Sequence, residues 1–259
     1  MLKYGDIVLV YIDDKRKYLI KLKEGGILGT DKGFIKHSEI IDHSYGDVVY
    51  TSRGYMAYIL KPLLIDYLVG FRRVTQVIYP KDSAFMIYLS GIKPGSKVLE
   101  AGVGTGFLTA SLAYFVGENG KVYGFDVLEE RIKNVYRNLE SAGLADRVVL
   151  RVGDVREPVD VSSVDAVFYD LPDPWNAVDT AYAVLKNTSP LLIYVPTVNQ
   201  VEKTVLSLRK HGGFIDIHTY EILLREYVVE EGATRPKTLM IGHTGYIIFA
   251  RKVKKIMLS

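Results

Sequence analysis

The chain contains no cysteine. Disulfides, thiolate metal sites and thiol nucleophiles are thereby excluded together. Glutamine is nearly as scarce, occurring only at Gln76 and Gln200, and a shortage of both labile residue types is a trait of proteins that work hot. No run approaches the roughly 18 apolar residues a membrane span requires, because Lys61, Pro62 and Asp66 interrupt the most apolar stretch. The N-terminus alternates apolar and polar residues over Asp6–Asp13 and has no signal-peptide profile, so a cytoplasmic protein is expected. Metal-ligand spacing is missing too, and no metal is expected. Large charge excess is also lacking. The net charge of +3 permits a polyanionic partner without requiring one, since affinity depends on where charge lies. Local basic clusters stand at Lys15–Lys17, Arg72–Arg73 and Arg251–Lys255.

With 259 residues, 48% of them apolar, the chain can bury one large α/β core and a small appendage. Residues 1–70 read as short β-segments (Asp6–Asp13, Tyr18–Leu22) punctuated by Gly25, Gly26 and Gly29. They predict a small β-rich module, closed by a helical stretch over Tyr55–Leu68 and followed by a connector over 71–90. Beyond residue 90 strands and helices alternate. Strands are expected at Lys97–Glu100, Lys121–Phe125, Val148–Val152, Ala166–Tyr169 and Leu191–Val195, and helices at Leu108–Phe115 and Val201–Lys210. A further helix carries Leu128, Ile132, Val135, Tyr136, Leu139 and Ala142 on one face and stops at Gly143. The runs Phe214–Leu224 and Tyr246–Arg251 lack an intervening helix, which predicts an antiparallel pair at one edge. The fold class is thus α/β, with a mostly parallel, doubly wound sheet over residues 71–259.

The strongest chemical signal is Lys97-Val-Leu-Glu-Ala-Gly-Val-Gly-Thr-Gly-Phe107. A strand ends, Gly102, Gly104 and Gly106 follow, and a helix begins, a turn that lets a ligand approach the backbone. The Gly-x-Gly-x-Gly spacing differs from that of pyrophosphate binders. Glu100, just ahead of it, would repel a diphosphate and attract a ligand carrying an ammonium and a sulfonium. Asp126 ends the next strand, where an acid accepts ribose hydroxyls. Asp154 follows the third, where it could accept from an adenine amino group. Singly, Asp126 and Asp154 read equally well as caps of the segments after them. Together with Glu100, the three acids at successive strand ends favour a cofactor site. These residues resemble the class I S-adenosylmethionine-dependent methyltransferases over about residues 90–252.

Strand four runs into Asp170-Leu-Pro-Asp-Pro-Trp175, on the side of the sheet where ligands of α/β proteins bind. This loop is similar to that of amino-group methyltransferases. The longer string looks like the loop of the tRNA adenine-N1 methyltransferases that modify the T-loop. Four further segments resemble that family: Thr75–Asp82, Gly29–Gly33 with Ile35 and His37, Arg235-Pro236, and Met240–Tyr246. Val103, Thr105, Asp126 and Tyr227 depart modestly from its usual residues. The resemblance implies methyl transfer from S-adenosylmethionine to N1 of an adenine in tRNA, at position 58 or at 57 and 58. It implies that Asp170 stabilises charge on the base and that Tyr79 covers the methionine end and orients the base. It also assigns Gln76, Glu100, Gly102, Gly104, Thr105, Gly106, Leu108, Asp126, Asp154, Val155 and Asp170 to the cofactor site, and implies a homotetramer. His37 and His243 read as structural groups; His243 and Arg235 would hold a loop or touch tRNA phosphates. A protein isoaspartate methyltransferase would share the glycine turn but has no need of the Asp170 loop. A non-catalytic tRNA-binding subunit would be expected to lose one or the other.

Overall fold

The computed structural model describes residues 1–255; the last four positions of the expected catalytic region, 256–259, lie outside them. The chain divides into two units, Met1–Phe71 and a second that begins at Arg72. In the first, strands β1 (Ile7–Asp13), β2 (Arg16–Lys21), β3 (Ile27–Thr30), β4 (Gly33–Lys36), β5 (Val48–Tyr50) and β6 (Met56–Leu60) precede one short helix, α1 (Leu64–Gly70). They make a four-stranded antiparallel sheet in the order β2-β1-β6-β5 and a separate β3-β4 hairpin. Val8, Val10, Ile35, Ile40, Ala57 and Ile59 fill this core. His37 is buried with them, its Nδ1 accepting from the Lys23 N–H at 3.1 Å. It is a packed structural group, and a Cβ on Gly26 would stand 2.4 Å from its ring.

The helix expected over Tyr55–Leu68 is a strand followed by a helix. Ala57 and Ile59 point inward at a period of two, while Met56 and Tyr58 are exposed. Lys61-Pro62 then separates β6 from α1. A short apolar run is ambiguous between the two periods, and pairing with β1 and β5 decides it here.

The second unit holds α2 (Pro80–Ser90), β7 (Lys97–Ala101), α3 (Phe107–Val116), β8 (Lys121–Asp126), α4 (Glu129–Ser141), β9 (Val148–Val152) and β10 (Ala166–Tyr169). Then come α5 (Val178–Val184), β11 (Pro190–Val195), α6 (Val198–His211), β12 (Phe214–Tyr220), the short pair β13 (Tyr227–Val228) and β14 (Arg235–Pro236), and β15 (Tyr246–Lys252). Helix α2 occupies half of what the sequence reads as a connector. Its buried face carries Asp82, Ser83 and Ser90 beside Met86 and Ile87, and those polar residues mask the helical period. Pro80 at its first position and left-handed Gly91 after its last bound it.

Seven strands form one sheet in the order β12-β15-β11-β10-β7-β8-β9. The five strands from β11 to β9 are parallel, and β15 runs antiparallel between β12 and β11. Strands β10 and β11 are buried along nearly their whole length, as expected of a parallel sheet covered on both faces. Among the described residues no helix is long and apolar enough to cross a membrane.

Candidate functional site

Strand order reverses between β7 and β10. A crevice opens at the carboxyl ends of such strands, and here it is built by two backbone turns in contact. The Asp170 N–H donates to the Ala101 carbonyl at 2.9 Å, and the Gly102 N–H to the Phe125 carbonyl at 2.9 Å. Gly102 has φ +84°, and a Cβ there would lie 2.0 Å from the Asp170 carbonyl oxygen. Gly104 faces the Thr75 hydroxyl, which a Cβ would approach to 2.7 Å, and Gly106 faces Val135 of α4. The first two glycines therefore let the Asp170 loop and the segment at Thr75 close on the turn, and the third lets α4 pack beneath it.

Two adjoining clefts share Gly102 and Asp170. The larger, about 160 Å³, is lined by Asp126, Arg131, Asp154, Val155 and Asp173 among others. The smaller, about 20 Å³, is lined by Gln76, Val77, Ile78, Glu100, Gly104, Thr105, Phe107 and Leu108. Every residue expected at the cofactor site except Gly106 lines one or the other. Tyr79 lines neither; it stands before α2 with its ring 40% exposed.

The acids differ in state. Glu100 is buried, its Oε2 has no hydrogen-bond partner, and burial pushes its carboxyl up to about 8. Burial likewise raises Asp170 to about 7, with the Arg131 charge opposing and Asp126 adding to the shift. Both folded-state values lie above the unfolded ones. The two groups therefore favour the fold fully below about pH 4, and that contribution is lost as pH rises through 7 to 8. Asp126 is spoken for in part: Oδ2 accepts from the Gly104 N–H at 3.2 Å and Oδ1 from the Leu128 N–H at 3.1 Å. It fixes the turn that leads into α4 and also lines the larger cleft. Asp154 is gripped by Arg156, whose Nε lies 2.9 Å from each carboxylate oxygen, and its pKa is lowered accordingly. Arg156 also reaches Asp173 at 3.0 Å, and Asn176 donates to the same oxygen at 2.8 Å. Of the two acids in the proline-rich loop, Asp173 has an ion-pair partner and Asp170 has none among the described residues.

A buried carboxylate oxygen with no partner among the described residues and a second acid lining the adjoining cleft fit a ligand bearing a cation and vicinal hydroxyls. Trp175, by contrast, turns from the clefts to α6, where the Lys203 ammonium sits 4.3 Å from its ring centre.

Sequence reasoning missed the residues that hold the 72–78 segment over the glycine turn. Asn138 on α4 accepts from the Arg72 N–H at 3.1 Å and donates to the Thr105 carbonyl at 2.9 Å. Asn134, one turn earlier, donates to the Arg72 carbonyl at 3.0 Å. The Thr105 hydroxyl accepts from the N–H groups of Val74 and Thr75. Thr105 thus fastens one wall of the cleft. Helix α4 buries Asn134, Val135, Asn138 and Leu139, whereas Leu128 and Tyr136 of the expected apolar face are exposed. Two buried asparagines four residues apart are the signal that a purely apolar count overlooks. Arg73 is not a free basic residue either: its guanidinium lies 5.2 Å from the Phe107 ring centre.

Comparison with known proteins bears on the family and the fold. Residues 55–234 match the family model for the tRNA methyltransferase complex GCD14 subunit, and residues 1–49 match the TrmI-like N-terminal model. The tRNA (adenine(57)-N(1)/adenine(58)-N(1))-methyltransferase TrmI of Methanocaldococcus jannaschii is 37% identical, covering 93% of each chain. The chain belongs to the tRNA adenine-N1 methyltransferase family. The crystal structure of the tRNA (m1A58) methyltransferase TrmI from Aquifex aeolicus superposes with a TM-score of 0.84 at 31% identity, over 98% of this chain and 99% of that one. A Thermotoga maritima structure described as a SAM-dependent O-methyltransferase gives a TM-score of 0.92 at 39% identity, covering 98% and 96%. The family's seven-stranded fold, with an antiparallel N-terminal region, is therefore present in full.

Proposed function

We propose that the chain transfers a methyl group from S-adenosylmethionine to N1 of adenine in the T-loop of tRNA, at position 58 with 57 as a second acceptor. The observation that carries this reading is the buried Asp170 carboxyl, without an ion-pair partner among the described residues, at the junction of the two clefts. The cofactor, when bound, supplies an electrophilic methyl on a sulfonium. Glu100 would meet the cationic end of the methionine moiety in the smaller cleft. Asp126 would accept from the ribose hydroxyls and Asp154 from the adenine amino group. Arg156 holds Asp154 in place for that contact. N1 of adenine is a weak neutral nucleophile that becomes cationic as it takes the methyl. Asp170, accepting from the adjacent exocyclic amino group, would stabilise that charge and hold the departing proton. Alignment supplies the rest, with Tyr79 orienting the base. N1 lies on the Watson–Crick edge, so the base must leave its stack before it reacts.

Incubation with labelled cofactor and unmodified tRNA, followed by nucleoside mass spectrometry, tests the reading directly. 1-Methyladenosine is expected. A ribose-methylated nucleoside would transfer the chain to the O-methyltransferase class, and no incorporation would sink the proposal.

Cofactor binding should also release protons. At pH 7 a carboxyl titrating near 8 is about nine-tenths protonated, and a cation placed at Glu100 Oε2 drives it to the carboxylate. The binding enthalpy should therefore shift with the ionisation enthalpy of the buffer, with a slope near one proton. An enthalpy that is the same in phosphate and Tris would show that Glu100 does not meet the charged end.

The N-terminal module and the exposed basic side chains would track the tRNA phosphates, so affinity should fall steeply with salt. Because Arg73 lies on Phe107 beside the glycine turn, Arg72→Ala is the cleaner probe. It should weaken tRNA binding severalfold and leave cofactor affinity unchanged; a parallel loss of both would place Arg72 in the cofactor wall. A cytoplasmic homotetramer, assembled without disulfides, completes the proposal. Light scattering that reports the 29.1 kDa monomer mass at working concentration would overturn the assembly.

A further inference from the structure

Lys81, Asp82 and Thr244 form a polar cluster, with Asp82 buried and the other two half-buried, that lines neither cleft. Asp82 is fully buried, and its Oδ1 accepts from Lys81 Nζ at 2.8 Å. Its Oδ2 accepts from the Thr244 hydroxyl at 2.8 Å. The Lys81 ammonium directs its other two protons to Thr244 Oγ1 at 2.6 Å and to the Ile222 carbonyl at 2.7 Å. All three lysine protons and both carboxylate oxygens are used. With every ammonium proton spent and both carboxylate oxygens bonded, the ion pair reads as structural. Breaking it would leave a charge buried and unpaired, one of the costlier changes a fold can suffer.

The partners come from distant parts of the chain. Lys81 and Asp82 lie in the first turn of α2, and the N–H groups of Asp82 and Ser83 donate to the Tyr79 carbonyl at 2.9 and 3.0 Å. Fixing that turn fixes residue 79. Ile222 and Thr244 are the two ends of the excursion between β12 and β15: the chain leaves the sheet at one and returns at the other. A second clamp spans the same gap. His243 pairs with Glu221 at 2.7 Å and faces the Pro196 carbonyl at 2.9 Å, and the Glu221 carboxylate raises its pKa. Gly245 lets the return pass against Tyr194, whose ring a Cβ would approach to 2.4 Å. Between the clamps the excursion exposes Arg225 and Arg235, a Lys237–Glu226 ion pair, the acids Glu230 and Glu231, and the apolar Leu223, Leu224 and Leu239. No residue of 221–245 lines either cleft.

We infer that Lys81, Asp82 and Thr244 are positioning residues that lock Tyr79 and the foot of the 221–245 excursion into one acceptor-side wall, governing productive docking of the RNA and not retention of the cofactor. The inference rests on the tRNA reading above. Its test uses the full chain with Thr244→Val, which keeps the shape and removes the hydroxyl, and Thr244→Ser, which keeps the hydroxyl. Three quantities are measured: the dissociation constant for S-adenosylmethionine, kcat and KM on tRNA, and amide exchange over 221–245. Thr244→Val should raise KM for tRNA and lower kcat/KM at least tenfold, hold cofactor affinity within twofold, and speed exchange in the excursion at least tenfold. Thr244→Ser should restore all three towards wild type. If Thr244→Val does not fold, Lys81→Gln carries the same expectations. Wild-type kinetics and exchange in the variant would overturn the inference, as would cofactor affinity falling as far as kcat/KM. A wild-type chain that methylates no tRNA would sink the substrate reading instead, and the exchange measurement would still decide whether the cluster locks the excursion.

Discussion

Asp170→Asn should bind S-adenosylmethionine nearly as well as the wild type and transfer its methyl at least about a hundredfold more slowly, the scale of a positioned proton acceptor. The difference is charge, since asparagine can still accept one hydrogen bond from the adenine amino group but cannot neutralise a cationic ring. Only the carboxylate form serves, so the single-turnover rate of the wild type should climb as pH rises through about 7, where burial sets the Asp170 titration, and then level. The variant should lack that rise. Asp173 is a poor substitute because Arg156 and Asn176 already hold it. Single-turnover measurements on saturating tRNA isolate the chemical step. A fast Asp170→Asn beside a slow Asp173→Asn would move the role three residues along the loop.

Gly102→Ala should be as damaging, through shape alone. The added methyl would stand 2.0 Å from the Asp170 carbonyl oxygen, in a left-handed backbone conformation with φ +84°. Neither the β7 turn nor the β10 loop can yield without opening the junction at which both clefts meet. Cofactor affinity should fall at least about a hundredfold, equivalent to roughly 2.7 kcal/mol, while circular dichroism reports an intact sheet. Gly5→Ala is a matched control at φ +99° with nothing within 4 Å of the added atom, and it should leave the affinity unchanged. Equal affinity in Gly102→Ala and wild type would show that the cofactor lies elsewhere.

Where the sequence was legible, the reason is that one strong local rule governed each segment. The buried runs of β10 and β11 admit no polar residue, and a strand followed by Gly102, Gly104 and Gly106 has few structural solutions. Acids at the carboxyl ends of β7 and β8 and just past β9 necessarily share an edge of a parallel sheet. The illegible parts depend on partners far away in the chain. Met56–Leu60 is a strand because β1 and β5 flank it, and α2 hides behind a buried Asp82 whose lysine and threonine partners make burial tolerable. Asp154 looks like a free acceptor until Arg156 is seen beside it. Tyr79 is expected at the site from the resemblance of Thr75–Asp82, yet its place outside both clefts follows from its position as the residue that caps α2. Asn134 and Asn138 fit no apolar pattern because their value lies in the backbone of residues 72 and 105.

The position of β15 bears on how the protein is made. Synthesis delivers β7 to β11 first, so the strands that carry the glycine turn and the Asp170 loop can pair while the chain is still growing. The inner strand β15 comes last, after the 221–245 excursion, and must enter beside β11 with β12 as the new rim. Until residue 252 is available, the row Leu191–Val195 has an open flank, and open apolar flanks recruit other chains. Completion of the sheet therefore waits on a long-range pairing, β11 with β15, the slow kind of contact. Chains truncated before Tyr246 should hold a nearly complete cofactor turn and still aggregate, which makes the final strand the nascent enzyme's guard against its own edge.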